Sequence, residues 1–285
     1  SRLLQRANEC ENWLEEWQDD LAYLAYPDSV VVKVSYYYGF DARSAHLLQT
    51  PAARAACLAR VALVFRQKLQ IGQVKSDETK KGEFCMDAHR WMFDCCRIPG
   101  LQGLDWSVSH AGANADELGH IIIARRNRQI QHIYHAAPEE YPGDPAHLAA
   151  DPHNHQYRVA PKSAEKFVDD ASILYTIHSS AFLISLDTDT PTTSIAHSRS
   201  LWHGSLSPST SESDALGLKN PWVHRLVQFI VFDNARAGIM RERSVVDGTH
   251  TTRMCDEVLD WLADPSLTSG PHQPPYRQRQ SHWIA

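Results

Sequence analysis

Residues 237–261 read Ala-Gly-Ile-Met-Arg-Glu-Arg-Ser-Val-Val-Asp-Gly-Thr-His-Thr-Thr-Arg-Met-Cys-Asp-Glu-Val-Leu-Asp-Trp. Gly238–Arg243 reads as a strand. It follows the apolar run Leu226–Phe232 across a short Asp-Asn-containing turn, which predicts a hairpin. Gly248 then lets the chain turn tightly into a helix. Thr249 or Thr251 is placed to cap that helix, which ends near Trp261-Leu262. The segment is therefore a strand, a tight polar turn and a helix, with Glu242, Arg243, Ser244 and Asp247 at the turn.

Working outward, strand and helix patterns interleave. Trp13, Trp17, Leu21 and Leu24 recur at helical spacing, widened by Leu14, with acidic residues opposite; the helix should end near Tyr26-Pro27. Val30–Phe40 is β-branched and aromatic, which favours an extended segment. Pro51 opens a helix whose apolar face is Leu58, Val61, Ala62, Phe65 and Leu69, stopped by Gly72. A further helix is expected over Met86–Cys96, then a loop over 100–118. His120–Arg126 and Gln129–His135 read as two strands about Asn127-Arg128. Residues 137–161 read as an irregular connection, Ser163–His178 as a helix, Ala181–Leu186 as a buried strand and 204–220 as a loop. The class is α/β with a mixed sheet and flanking helices. One domain is expected over residues 1–263, with the Pro-rich, polar residues 264–285 as a linker.

The 285 residues are 43% hydrophobic and 22% charged, ordinary for a soluble globular protein. A net charge of −6 gives no electrostatic reason to expect nucleic acid or an anionic membrane as partner. No apolar run approaches the roughly 20 residues that span a bilayer. The first residue is Ser1, not Met, and no signal pattern follows, so a piece of a longer chain is expected. Six cysteines lack any C-x-x-C spacing and lie among apolar neighbours. Buried thiols in a reducing, intracellular compartment are the simpler reading, without distinguishing cytoplasm, peroxisome or mitochondrion.

The opening segment resembles the active-site turn of the choline/carnitine O-acyltransferases, which runs roughly G-x-x-G-E-H-S-x-x-D-G-T-P-T. Four further blocks follow the same order. Asn12-Trp13-Leu14-Glu15-Glu16-Trp17 with Ala22-Tyr23-Leu24 is similar to N-W-L-E-E-W-W…A-Y-L. Val32–Tyr38 is similar to V-x-V-S-Y-F-Y. Cys85–Pro99 resembles C-M-N-x-Y-x-W-M-F-N-x-C-R-I-P. Trp202-His203-Gly204, Asn220-Pro221-Trp222 and Gln228–Val231 resemble W-H-G…N-R-W…Q-F-I-V.

This resemblance implies a chloramphenicol-acetyltransferase-like, CoA-dependent acyltransferase fold, present as one of two domains. It implies acyl-CoA as co-substrate, no covalently bound cofactor, and carnitine or another hydroxyl compound as acceptor. It also implies a carboxy-terminal domain, absent from this chain, that supplies the coenzyme A site. In the family a histidine takes the acceptor's proton, and Arg243 stands at its position. Asp247 stands where a carboxylate orients that imidazole. Glu242, Ser244, Gly248 and Thr249 complete the turn, and Tyr36, Met86 and His89 are candidate tunnel residues.

An imidazole with an ordinary pKa of roughly 6.5 suits general-base work. A guanidinium keeps its proton at any relevant pH. The chain is therefore expected to lack acyl-transfer activity, with Arg243 and Asp247 forming an ion pair that holds the turn. Other departures agree: Arg241 replaces the family's glycine, His250 its proline, His89 its tyrosine and Pro221 its arginine.

Alternative uses of histidine carry less. His250 sits at a helix start, seven residues beyond Arg243, and proton abstraction tolerates little displacement. His147 and Asp151 spell H-x-x-x-D by themselves, but in an irregular stretch followed by Pro152. His147, His153 and His155 cluster without the convergent ligands that a metal needs, so no metal site is expected. Tyr36-Tyr37-Tyr38 either lines a ligand tunnel or alternates between core and surface as strands do.

Three functional readings follow: an inactive acyltransferase domain, a pseudoenzyme that binds an acyl ligand or a protein, or an acyltransferase-like module of a larger fungal polyketide synthase.

Overall fold

The computed structural model describes residues 2–10, 12–26, 30–42, 49–99, 105–112, 120–125, 129–134, 175, 177–203, 222–263 and 282–284. The strands are β1 (Tyr36–Gly39), β2 (Glu78–Thr79), β3 (Gly82–Glu83), β4 (Cys95–Ile98), β5 (Trp106–Ser109), β6 (His120–Arg125), β7 (Gln129–Tyr134), β8 (Phe182–Asp187), β9 (Gln228–Phe232), β10 (Ala237–Arg241) and β11 (His282–Ile284). Seven of them form one sheet in the order β1-β10-β9-β8-β6-β7-β11. β6, β8 and β9 run parallel to one another, and the remaining pairings are antiparallel. The expected α/β class with a mixed sheet is what the chain adopts.

The centre of this sheet is apolar on both sides, as parallel strands require. Phe182, Leu183, Ile184, Phe229, Ile230 and Val231 are all 1% exposed or less. The Pro51–Gln70 helix covers one face. Thr50 caps it by accepting from the Ala53 N–H at 3.2 Å. Its Leu58, Ala62 and Phe65 meet Met254 and Val258 of the Gly248–Ala263 helix in the main core. The Ser194–Trp202 helix covers the other face with Leu201, against Phe232 and Met240. It fits only because Gly238 has no side chain: a Cβ there would stand 2.6 Å from Leu201 Cδ1 and from the Tyr38 carbonyl oxygen.

Several local expectations are corrected. Met86–Cys96 is not a helix: Asp87–Trp91 makes one 3₁₀ turn, and Cys95–Ile98 is β4, paired with β5 inside the expected 100–118 loop. Val30–Phe40 is extended only over β1. Val30–Lys33 is a helical turn in which Val30 and Val31 are fully buried, so packing overrides their β preference. The first amphipathic segment is helical from Glu15 through a π-turn ending at Leu24, but of its apolar stripe only Leu24 is buried, while Leu21 is 80% exposed.

Among the cysteines, Cys95, Cys96 and Cys255 are buried as expected, whereas Cys10 and Cys85 are exposed. His282–Ile284 pairs antiparallel with β7 at the sheet edge, which the polar character of 264–285 does not suggest. The readings of 137–161 and 204–220, with His147, Asp151, His153, His155 and Pro221, lie outside the described residues. So does most of the expected helix Ser163–His178. Among the described residues no helix is long and apolar enough to cross a membrane.

Candidate active site

β10 delivers the site. It runs between β1 and β9, with Tyr36 opposite Arg241 and Gly39 opposite Gly238, and all five of its residues are buried. The turn 242–247 leaves its end and the Gly248–Ala263 helix follows.

Alternate side chains of the turn go to different environments. Glu242 points inward and is fully buried. Its Oε1 accepts from Arg97 Nη1 at 3.0 Å, and its Oε2 accepts from the Ser244 N–H at 3.0 Å and from the Ser244 hydroxyl. Arg97, also fully buried, donates from Nε to Asp105 at 2.7 Å and from Nη2 to the Tyr23 carbonyl at 3.0 Å. Each charge in this layer has a partner, as a buried ion pair requires.

Arg243 points outward. Its side chain is 46% exposed, and its Nη2 donates to Asp247 Oδ1 at 2.8 Å. The expected ion pair is present, and it lies at the surface. The same Asp247 oxygen accepts from the Gly248 N–H at 2.6 Å, so Asp247 takes the first free donor of the helix in place of the threonines. Thr249 is exposed. Thr251 is buried and shares a 2.6 Å hydrogen bond with the Tyr36 hydroxyl.

A cavity of about 450 Å³ is lined by Met86, His89, Phe93 and Leu69, by Asp87 and Arg90, and by the ion pair of Arg66 with Asp94. That pair is buried and bidentate, at 2.7 and 3.0 Å. Of the three candidate tunnel residues, Met86 and His89 line the cavity and Tyr36 does not.

The His89 ring meets the edge of the His250 ring at 4.7 Å between centroids, nearly perpendicular. Burial, followed by the His250 charge, holds His89 down at about 4. Burial, followed by the charge of Arg241, pushes His250 below its ordinary value. The Cys85 backbone acts in the opposite direction, yet neither His250 nitrogen reaches a partner in hydrogen-bond geometry. Both rings are therefore neutral near pH 7.

Sequence reasoning singled out Arg241 only as a departure from the family pattern. It missed the buried Arg97–Glu242 layer and the Arg66–Asp94 pair altogether. The one available signal was an arginine inside an otherwise apolar pattern, at Arg66 on the helix face and at Arg97 among Cys95, Cys96 and Ile98.

The profile described as Choline/Carnitine o-acyltransferase matches residues 1–130 and 127–283. The chain belongs to that family. It is 26% identical over 288 residues to the mitochondrial carnitine O-acetyltransferase of Saccharomyces cerevisiae, covering 92% of this chain and 41% of that protein. It is 23% identical to the Homo sapiens carnitine O-acetyltransferase, with coverage of 95% and 46%. A highly reducing polyketide synthase of Sordaria araneosa matches 79% of this chain at 23% identity, over 7% of its own length. The chain thus spans less than half the length of the curated relatives it matches. A solved chloramphenicol acetyltransferase covers 88% of this family member and 96% of itself, at 9% identity and a TM-score of 0.34, too loose a superposition to bear on function.

Proposed function

We propose that this chain is a carnitine-acyltransferase-type domain that has kept the acyltransferase fold and lost acyl transfer between coenzyme A and a hydroxyl acceptor such as carnitine. The observation behind this reading is Arg243. It occupies the position of the family's base, carries a permanent charge and is tied to the carboxylate that would orient an imidazole. Losing a general base typically lowers turnover by about 10²–10⁴-fold. His250 is a poor substitute, because burial and Arg241 depress its basicity and its ring packs against His89.

The reading is tested by assaying the chain and its Arg243→His variant for transfer from acetyl-CoA and longer acyl-CoAs to carnitine. Both are supplied with the carboxy-terminal half of a carnitine acetyltransferase. Turnover in the variant alone is expected, and robust wild-type turnover would sink the proposal.

A second reading is a module of a larger synthase, favoured by the polyketide synthase that matches 79% of this chain. The sequence of the full open reading frame decides it.

A further inference from the structure

The block Cys85–Pro99 departs from the family pattern C-M-N-x-Y-x-W-M-F-N-x-C-R-I-P at three polar positions. Asp87 stands for its first asparagine, His89 for its tyrosine and Asp94 for its second asparagine. All three line the cavity of about 450 Å³, so this chain has remade the polar part of that lining.

The cavity has a floor and a mouth. Phe93 and the Arg66–Asp94 pair are buried and form the floor. Gln70 and Arg90 are exposed and mark the mouth, and the half-buried Leu69 and Met86 lie between as apolar walls. The floor is held firmly. Asp94 has a left-handed backbone, φ 58°, fixed by its N–H on the Ala181 carbonyl at 3.1 Å and by the His110 N–H on its own carbonyl at 2.7 Å. A backbone in that region persists only where its surroundings over-determine it.

The charges of the lining are matched. Asp94 accepts from two Arg66 nitrogens at 2.7 and 3.0 Å. Asp87 accepts from Arg90 Nε at 3.2 Å, and Arg90 donates to Glu15 as well. His89, held at about 4 by burial and then by the His250 charge, is neutral at pH 7. A ligand charge of either sign would therefore find its counter-ions taken, and would lose hydration without a free partner in return. Apolar walls under a polar mouth suit a molecule that is apolar at one end and polar but uncharged at the other.

We propose that this cavity binds a small uncharged amphiphile of the medium-chain alcohol class, its hydrocarbon chain against Leu69, Met86 and Phe93 and its hydroxyl at the mouth beside Gln70. The Gln70 amide oxygen accepts from Arg66 Nη1 at 3.4 Å, which leaves the amide N–H groups for the hydroxyl oxygen. The site goes beyond the acyl-transfer reading and does not rest on it, because it is read by binding without any turnover.

The test is methyl NMR of the full chain, labelled at its four methionines and titrated at pH 7 with hexanol, hexyltrimethylammonium or hexanoate. The probes share one hydrocarbon chain and differ in the charge of the head. Met86 lines the cavity, whereas Met240 packs with Leu201 on the other face of the sheet and serves as the internal control. Hexanol should move the Met86 signal saturably and leave Met240 in place. Both charged probes should bind at least about tenfold more weakly. An unmoved Met86 signal, or all four signals moving together, overturns the site. A charged probe that binds as tightly as hexanol overturns the assignment of an uncharged ligand. Leu69→Trp, which fills the cavity, should weaken hexanol by a similar factor. Unchanged affinity in a folded variant also overturns the site, and the wild-type titration decides without it.

Discussion

Glu242 separates two buried guanidiniums with opposite fates. On its inner side, Arg97 donates to Glu242, Asp105 and the Tyr23 carbonyl, leaving no charge unmatched. One residue away, Arg241 is equally buried and donates to nothing. The first region is a structural layer that locks the turn to β4 and to the amino-terminal segment. The second is a guanidinium whose nitrogens have no hydrogen-bond partner. Unsatisfied buried polar groups are rare in native structures, so the contrast separates what holds the fold from what the fold presents.

The sharpest break would come from the satisfied side. Arg97→Met leaves Glu242 buried and unpaired, and should destabilise the chain by roughly 3–5 kcal/mol in denaturant unfolding. Arg241→Met should do the reverse, being neutral or stabilising by roughly 1–3 kcal/mol, since it removes an unpaired charge. If both variants lose stability equally, the two regions are not different in kind.

Acid gives the next effect. His89 is held at about 4 and His178, by burial first, at about 3, against the ordinary 6.5. Unfolding lets these rings take protons, so the unfolded chain binds more protons between pH 4 and 6.5. Stability should be flat above about 6.5 and fall as pH drops through this window, by roughly 2 kcal/mol for the partly exposed His89. His89→Gln should flatten that part of the curve. A pH-independent stability from 7 to 4 would contradict the neutral, buried imidazoles.

Smallest of all is Arg243→Ala. The ion pair is surface-exposed at both ends, so its loss should change stability by no more than about 0.5 kcal/mol. A large loss would place Arg243 among the structural residues.

The strand-turn-helix of 237–263 was legible because its signals are local: an apolar run, Asp-Gly, then an apolar helical face. The Arg243–Asp247 pair was legible for the same reason, lying four residues apart. Cys95–Ile98 was not. A short apolar run fits helix or strand alike, and what decided it was β5, beyond the reach of a local pattern. Arg97 was illegible for a stronger reason: arginine is seldom buried, and its partner Glu242 lies far along the chain. The stripe Trp17 and Leu21 gave a correct helical period but not burial, which depends on what packs against it.

The pairing of Tyr36 with Arg241 joins residues about 200 positions apart. During synthesis at roughly 5–20 residues per second, β1 waits roughly 10–40 s for the strand it pairs with. Over that interval three consecutive tyrosines have no β-partner, and the candidate site does not exist. The turn that carries Glu242, Arg243 and Asp247 takes its place only late in translation, so a ribosome stalled before β10 would carry a chain with much of its core sequence and no candidate active-site turn.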